Sequence, residues 1–191
     1  MAQTLNDWLY LNTESFNFEQ SYFDLFGLAV SCELDTAKLR QQFMELQRQY
    51  HPDRFAAGSD TERRVAVQIA SYVNGAHQTL ADPLKRAEYC LQLAGLDTDA
   101  ETDSKMDPMF LMQQMELRES LEEVSSAKDP LQSLDKVRAQ IDELIDQTAA
   151  QTSVLLSEQK LQPARDAVRR WQFLEKLASE ASAIEAQLDD T

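Results

Sequence analysis

The sequence holds no lysine or arginine before Lys38, only two cysteines, two histidines and four glycines. It also has no apolar run approaching the roughly 20 residues that span a bilayer. Each shortage excludes something. Without a basic N-terminal stretch leading into an apolar one, neither a secretory nor a mitochondrial targeting segment is visible, and the cytoplasm is the expected compartment. Cys32 and Cys90 form no Cys-x-x-Cys pair, and with His51 and His77 they do not supply a four-ligand metal set. A disulfide between them stays open, with reduced thiols the plainer reading. No phosphate loop and no nucleophile–base–orienter set is present, so the chain is not expected to be an enzyme or to need a cofactor. Four glycines and five prolines in 191 residues disfavour a many-stranded sheet and favour long helices.

Acidic residues, in contrast, are plentiful. The formal charge is -15, which argues against general binding to nucleic acid or to an anionic membrane. Residues 1–95 carry 12 acidic against 8 basic side chains, and residues 96–191 carry 21 against 10. Two regions of such different charge suggest two binding surfaces.

Apolar spacing predicts an all-α chain. Residues 1–20 mix aromatic and polar side chains and read as a short helix or a tail. A short amphipathic stretch, 22–28, stops near Gly27. Asp35 is a suitable N-cap for a helix whose Leu39, Phe43, Leu46 and Tyr50 share one face. Pro52 ends it, because proline disfavours helical backbone at the residue before it. A second long helix from about Asp60 or Thr61 buries Val65, Ile69, Val73, Ala76 and Leu80, and the pair should form an antiparallel hairpin. A further helix starts at Pro83. The acidic run of Asp97, Asp99, Glu101 and Asp103 reads as a solvated connector; it lacks the glycine and final glutamate of a calcium loop. Three more helices, near 108–127, 131–149 and 155–188, would close a C-terminal bundle. The expected organisation is an N-terminal extension (1–20), a hairpin domain (21–95), an acidic linker (96–107) and a three-helix bundle (108–191).

Two constellations stand out. His51-Pro52-Asp53 lies between two amphipathic helices, and the basic residues Lys38, Arg40, Arg48 and Arg54 surround it in an acidic protein. That local imbalance suggests an acidic partner. On the helix from 108, an angular reading puts Phe110, Leu117, Leu121 and Val124 on the bundle side. Met112, Met115, Glu116, Glu119 and Glu123 fall on the opposite side, with Leu111 at its edge. An outward apolar pair framed by carboxylates is more than a solvated face requires, and methionine adapts to partner surfaces. The plainer alternative packs these methionines against the first domain. Phe173 points away from Trp171, so the two cannot both be fully buried in one seam. His77 reads as a packing or boundary residue rather than a ligand.

The run FMELQRQYHPDRF (43–55), followed by VNGAHQTLADPLKRAEYCLQLAG (73–95), resembles a J-domain. With FLMQQMELRESLEEV (110–124), the chain more specifically resembles the HscB family of iron–sulfur cluster co-chaperones, of the bacterial type. The resemblance runs from about residue 20 to 190 and leaves the N-terminal stretch unexplained. It implies that His51, Pro52 and Asp53 stimulate ATP hydrolysis by an HscA-like chaperone of the DnaK type, with Arg40 and Arg48 aiding docking. It also implies that an IscU-like iron–sulfur scaffold binds Leu111, Met112, Met115, Glu116, Glu119, Glu123 and Phe173. The zinc-binding region of eukaryotic relatives is not expected, since no cysteine precedes Cys32. A monomer is favoured, although pairing through the last helix stays open. The rival readings are a general J-domain co-chaperone with another client and a structural helical protein.

Overall fold

The computed structural model describes residues 16–98 and 108–189, and all of its regular structure is helical. The helices are α1 (Tyr22–Leu25), α2 (Thr36–Gln49), α3 (Asp60–Ala81), α4 (Pro83–Leu93), α5 (Pro108–Glu123), α6 (Pro130–Ser157) and α7 (Leu161–Asp189). Short 3₁₀ turns occupy Pro52–Phe55 and Val124–Ser126. The all-α expectation therefore holds. The chain divides into two compact units, 1–86 and 87–191, with the division inside α4.

In the first unit each helix begins and ends on a local signal. Asp35 caps α2, its carboxylate accepting the Lys38 N–H. Ser59 and Glu62 form a reciprocal capping box at the start of α3. The Ser59 backbone N–H donates to the Glu62 carboxylate at 2.6 Å and its hydroxyl at 2.8 Å, and these bonds hold the carboxyl below its ordinary pKa. Gly27, at φ 59°, lets the chain turn after α1. The helices α2 and α3 pack as the expected hairpin, and α1 lies on α3. Phe23, Phe26, Leu39, Tyr50, Ile69, Val73, Ala76 and Leu80 are buried; each large side chain contributes about 1.5–3 kcal/mol by leaving water. Phe43 and Leu46 are half-buried, and Ala66 rather than Val65 takes the fully buried position. Arg86 is buried, its guanidinium donating to the carbonyls of Cys32 at 2.9 Å and Leu80 at 2.5 Å. No disulfide joins Cys32 and Cys90.

The second unit is organised by α6 and α7, a long helical pair against which α5 packs. Its core joins Leu117, Leu121 and Val124 of α5 and the turn after it to Leu134, Val137 and Ile141, and to Leu174, Leu177 and Ala181. The C-terminal part of α4 belongs to this unit, where Glu88 accepts from Gln172 at 2.7 Å and the Thr98 carbonyl accepts from Arg169 at 3.2 Å. Most of the acidic run, including Asp99, Glu101 and Asp103, lies outside the described residues, as does the start of the N-terminal stretch. Two boundaries differ from expectation. The helix α6 continues past 149 to Ser157, and α7 begins at Leu161 rather than near 155. Nothing in Ala149–Ser153 breaks a helix. The stop comes from Gln159, at φ 57°, with Lys160 N–H bonded to the Leu155 carbonyl and Gln159 N–H to that of Leu156. This is a left-handed cap made without glycine.

Candidate interaction surfaces

The tripeptide 51–53 sits where α2 ends. Tyr50 is the C-cap, its N–H bonded to the Leu46 carbonyl, and its buried phenol has a raised pKa because burial disfavours the phenolate. Pro52 then starts the 3₁₀ turn, where its fixed φ fits and its missing N–H costs nothing. His51 caps this turn, Nδ1 accepting the Asp53 N–H at 3.3 Å. In that arrangement the Nε2–H stays available as a donor. The Asp53 carboxylate is nearly fully exposed, at 91%, and stands 3.6 Å from His51 Nδ1. Phe55 is buried and anchors the turn from below.

Arg40, Met44 and Arg48 recur every four residues on α2, and all three are exposed. Arg48 is held by both carboxylate oxygens of Glu45 at 2.9 Å. Such an exposed pair is worth at most about 1 kcal/mol, so a stronger partner carboxylate can replace Glu45. Arg54 bonds the Arg48 carbonyl at 3.3 Å and ties the turn to the end of α2. Sequence reasoning brought Arg54 into this group but did not single out Met44; its four-residue spacing between the two arginines is the available signal. His77, in contrast, stacks on Phe43 with ring centroids 3.9 Å apart, and burial lowers its pKa. It is a packing residue, as expected.

In the second unit α5 divides as the angular reading requires. Phe110, Leu117, Leu121 and Val124 are buried. Leu111, Met112, Met115, Glu116, Glu119 and Glu123 are exposed, Met112 at 61% and Met115 at 73%. Met109, missed by the sequence reading, is 74% exposed one turn before Met112, and its three-residue spacing was the signal.

Phe173 differs from the other six residues. It is half-buried against the bundle core, edge-on to Phe110 at 5.9 Å, with the Arg118 guanidinium 5.8 Å above its ring. Trp171 is buried, and its indole N–H donates to Glu175 at 3.0 Å. The two rings thus occupy different environments, as their angular separation requires.

Among the described residues no group of three or more His, Cys, Asp or Glu is arranged to hold a metal ion. No described helix is long and apolar enough to cross a membrane.

Comparison with known proteins brings a consistent result. Residues 106–182 match the family model described as the HSCB C-terminal oligomerisation domain. The chain is 44% identical over 168 residues to the co-chaperone protein HscB homolog of Vibrio cholerae, covering 88% of this chain and 98% of that relative. Among solved structures, the chaperone HscB from Vibrio cholerae superposes with a TM-score of 0.79 at 42% identity, covering 88% of this chain and 99% of that one. The human co-chaperone protein HscB superposes with a TM-score of 0.82 at 26% identity, covering 89% and 84%.

Proposed function

Since the chain belongs to the HscB co-chaperone family, we propose that it acts through the two surfaces described above, one for a chaperone ATPase and one for that chaperone's client. A co-chaperone of this kind is not itself an enzyme. It stimulates the ATPase of an HscA-like chaperone of the DnaK type and presents an IscU-like iron–sulfur scaffold for cluster transfer. Residues 21–95 are the J-domain and 108–191 the scaffold-binding bundle, working in the cytoplasm.

The observation that carries the chaperone half is the exposed His51-Pro52-Asp53 turn at the end of a helix bearing Arg40 and Arg48. Bond breaking would take place in the chaperone's nucleotide site. Asp53 offers a carboxylate already outside the turn's own hydrogen bonding, and His51 fixes the backbone that carries it. Arg40 and Arg48 supply charge for an acidic docking surface, which speeds encounter more than it adds affinity.

The scaffold half rests on apolar side chains left in water. Leu111, Met112 and Met115 would form the desolvated centre, with Glu116, Glu119 and Glu123 as a charged rim. Phe173 backs the patch from α7. A monomer is supported by the burial of Leu174, Leu177 and Ala181 inside the bundle, which leaves little of the α7 apolar stripe for a second copy; sedimentation velocity reads this directly.

Met112→Ala with Met115→Ala tests the client assignment cleanly, because truncating exposed side chains shifts stability by no more than about 0.5 kcal/mol. Calorimetric titration with the scaffold is expected to show affinity weakened about tenfold or more, the loss of two contacts at an interface centre. Unchanged affinity would assign the patch to another client. Phe173→Ala should weaken binding too, but with a lower melting temperature, since its ring also packs on Phe110.

A further inference from the structure

Residues 16–20 precede the part of the chain that the family resemblance explains, yet they are built into the first unit. Phe16 lies edge-on to Tyr50 at 5.5 Å and to Tyr72 at 5.8 Å, and Phe18 meets Phe16 at 4.8 Å and Tyr72 at 5.5 Å. Tyr22 completes the cluster against Tyr72 at 5.5 Å, and the Tyr72 hydroxyl donates to the Gln20 carbonyl at 2.9 Å. Edge-on aromatic pairs are each worth about 0.5–1.5 kcal/mol beyond the area they bury. On one side the cluster is open: Phe18, Tyr22 and Tyr72 line a shallow groove of about 500 Å³ with Gln68, Ser71 and Gly75. The rings and the Tyr72–Gln20 hydrogen bond hold the segment, while Phe18 stays 41% exposed.

The ring that Phe16 covers belongs to Tyr50, the residue directly before His51. Tyr50 leaves the helix at φ -108° and ψ 20°, so its placement sets the direction in which the chain enters the turn. The turn is tied to its neighbours by two exposed side-chain bonds, Arg54 to the Arg48 carbonyl at 3.3 Å and Arg63 of α3 to the Ala56 carbonyl at 3.5 Å, and its other bonds are short-range. The Asp53 N–H reaches His51 Nδ1 at 3.3 Å, the Arg54 N–H reaches the His51 carbonyl at 3.0 Å, and the Ala56 N–H reaches the Asp53 carbonyl at 3.3 Å. Exposed bonds of this kind each add only about 0.5–1.5 kcal/mol net. Beside these exposed bonds, the turn is packed through two buried residues, Phe55 inside it and Tyr50 before it.

We propose that Phe16 and Phe18 form an aromatic cap that fixes Tyr50 and Tyr72 and thereby positions the His51-Pro52-Asp53 turn. Both are positioning residues, Phe16 acting on Tyr50 directly and Phe18 through Phe16 and Tyr72. The inference rests on the proposed chaperone function for its activity arm, but not for its structural one.

The test compares the full chain with Phe16→Ala/Phe18→Ala and with Phe16→Tyr, which keeps the ring. The first readout, amide ¹⁵N relaxation of the free protein, needs no partner. Order parameters should fall at residues 51–56 in the double variant while α3 between Ile69 and Ala76 is unchanged, and Phe16→Tyr should match the parent. The second readout titrates each protein into the chaperone ATPase. The double variant should lose about threefold to tenfold in maximal stimulation, as expected for a misplaced trigger group. Its half-saturating concentration should stay within about twofold, because docking through Arg40 and Arg48 is untouched. Unchanged turn dynamics with unchanged maximal stimulation would overturn the cap. So would a uniform loss of order through α3, which would mark Phe16 and Phe18 as general packing. A parent chain that fails to stimulate the chaperone would instead contradict the proposed function, and the relaxation data would still decide the cap.

Discussion

His51 and His77 share a side chain and differ in everything that surrounds it. His51 stands exposed in a turn, using one ring nitrogen to hold the backbone that presents Asp53. His77 projects from α3 against α2, face to face with Phe43 and edge-on to Phe26. Burial lowers its pKa below the ordinary 6.5, so the folded chain binds fewer protons than the unfolded one near neutrality. The stability contribution is whole above the unfolded value and is lost as pH falls through 6.5 toward the folded pKa. Thermal melts of the parent should therefore show an extra decline on acidification below about pH 6.5, ahead of the carboxylate titrations. His77→Phe, which preserves a stack on Phe43, should remove that decline; an identical pH dependence in both proteins would mean that His77 takes up its proton without penalty. Single residues of this kind were legible when their neighbours in sequence defined them. His51 and Asp53 were, because proline and the flanking helices fix a turn locally. The double role of Phe173 was not, because the ring that covers it, Phe110, is 63 residues away in sequence.

Helices were easier to recognise than their ends. Leu39, Tyr50, Ile69, Val73 and Leu80 revealed the hairpin because the 3.6-residue period survives any loop geometry. The start of α3 also carried a written signal, Ser59 three residues before Glu62. The junction between α6 and α7 carried none. Its left-handed residue is Gln159 rather than glycine, and Pro163 falls inside the first turn of α7, where proline is tolerated. Gln159 bears the steric cost of a left-handed residue with a side chain. Gln159→Gly is accordingly expected to raise unfolding free energy by about 0.5–1 kcal/mol in a urea titration, with the slope unchanged. Destabilisation would show that the Gln159 side chain contributes more than its backbone costs. The same junction explains the misjudged boundaries at 149 and 155: a run of alanine, glutamine and threonine can continue a helix or end it, and packing between α6 and α7 decides.

At the scale of the whole molecule, the charge asymmetry legible in composition corresponds to two units with different surfaces. The first presents a turn flanked by arginines, and the second presents methionines rimmed by glutamates. Carrying both on one chain raises the local concentration of client at the chaperone without any new chemistry. Composition could not reveal how the two units divide α4, because its sequence is one uninterrupted amphipathic helix whose C-terminal part pairs with α7 through Glu88 and Gln172. The most direct test of the bridging role is single-turnover ATP hydrolysis by the HscA-like chaperone, with and without this protein and the IscU-like scaffold, alongside Asp53→Asn. Acceleration that disappears in Asp53→Asn and increases further when the scaffold is added is the expected result. Acceleration unaffected by Asp53→Asn, or no acceleration at all, would contradict it.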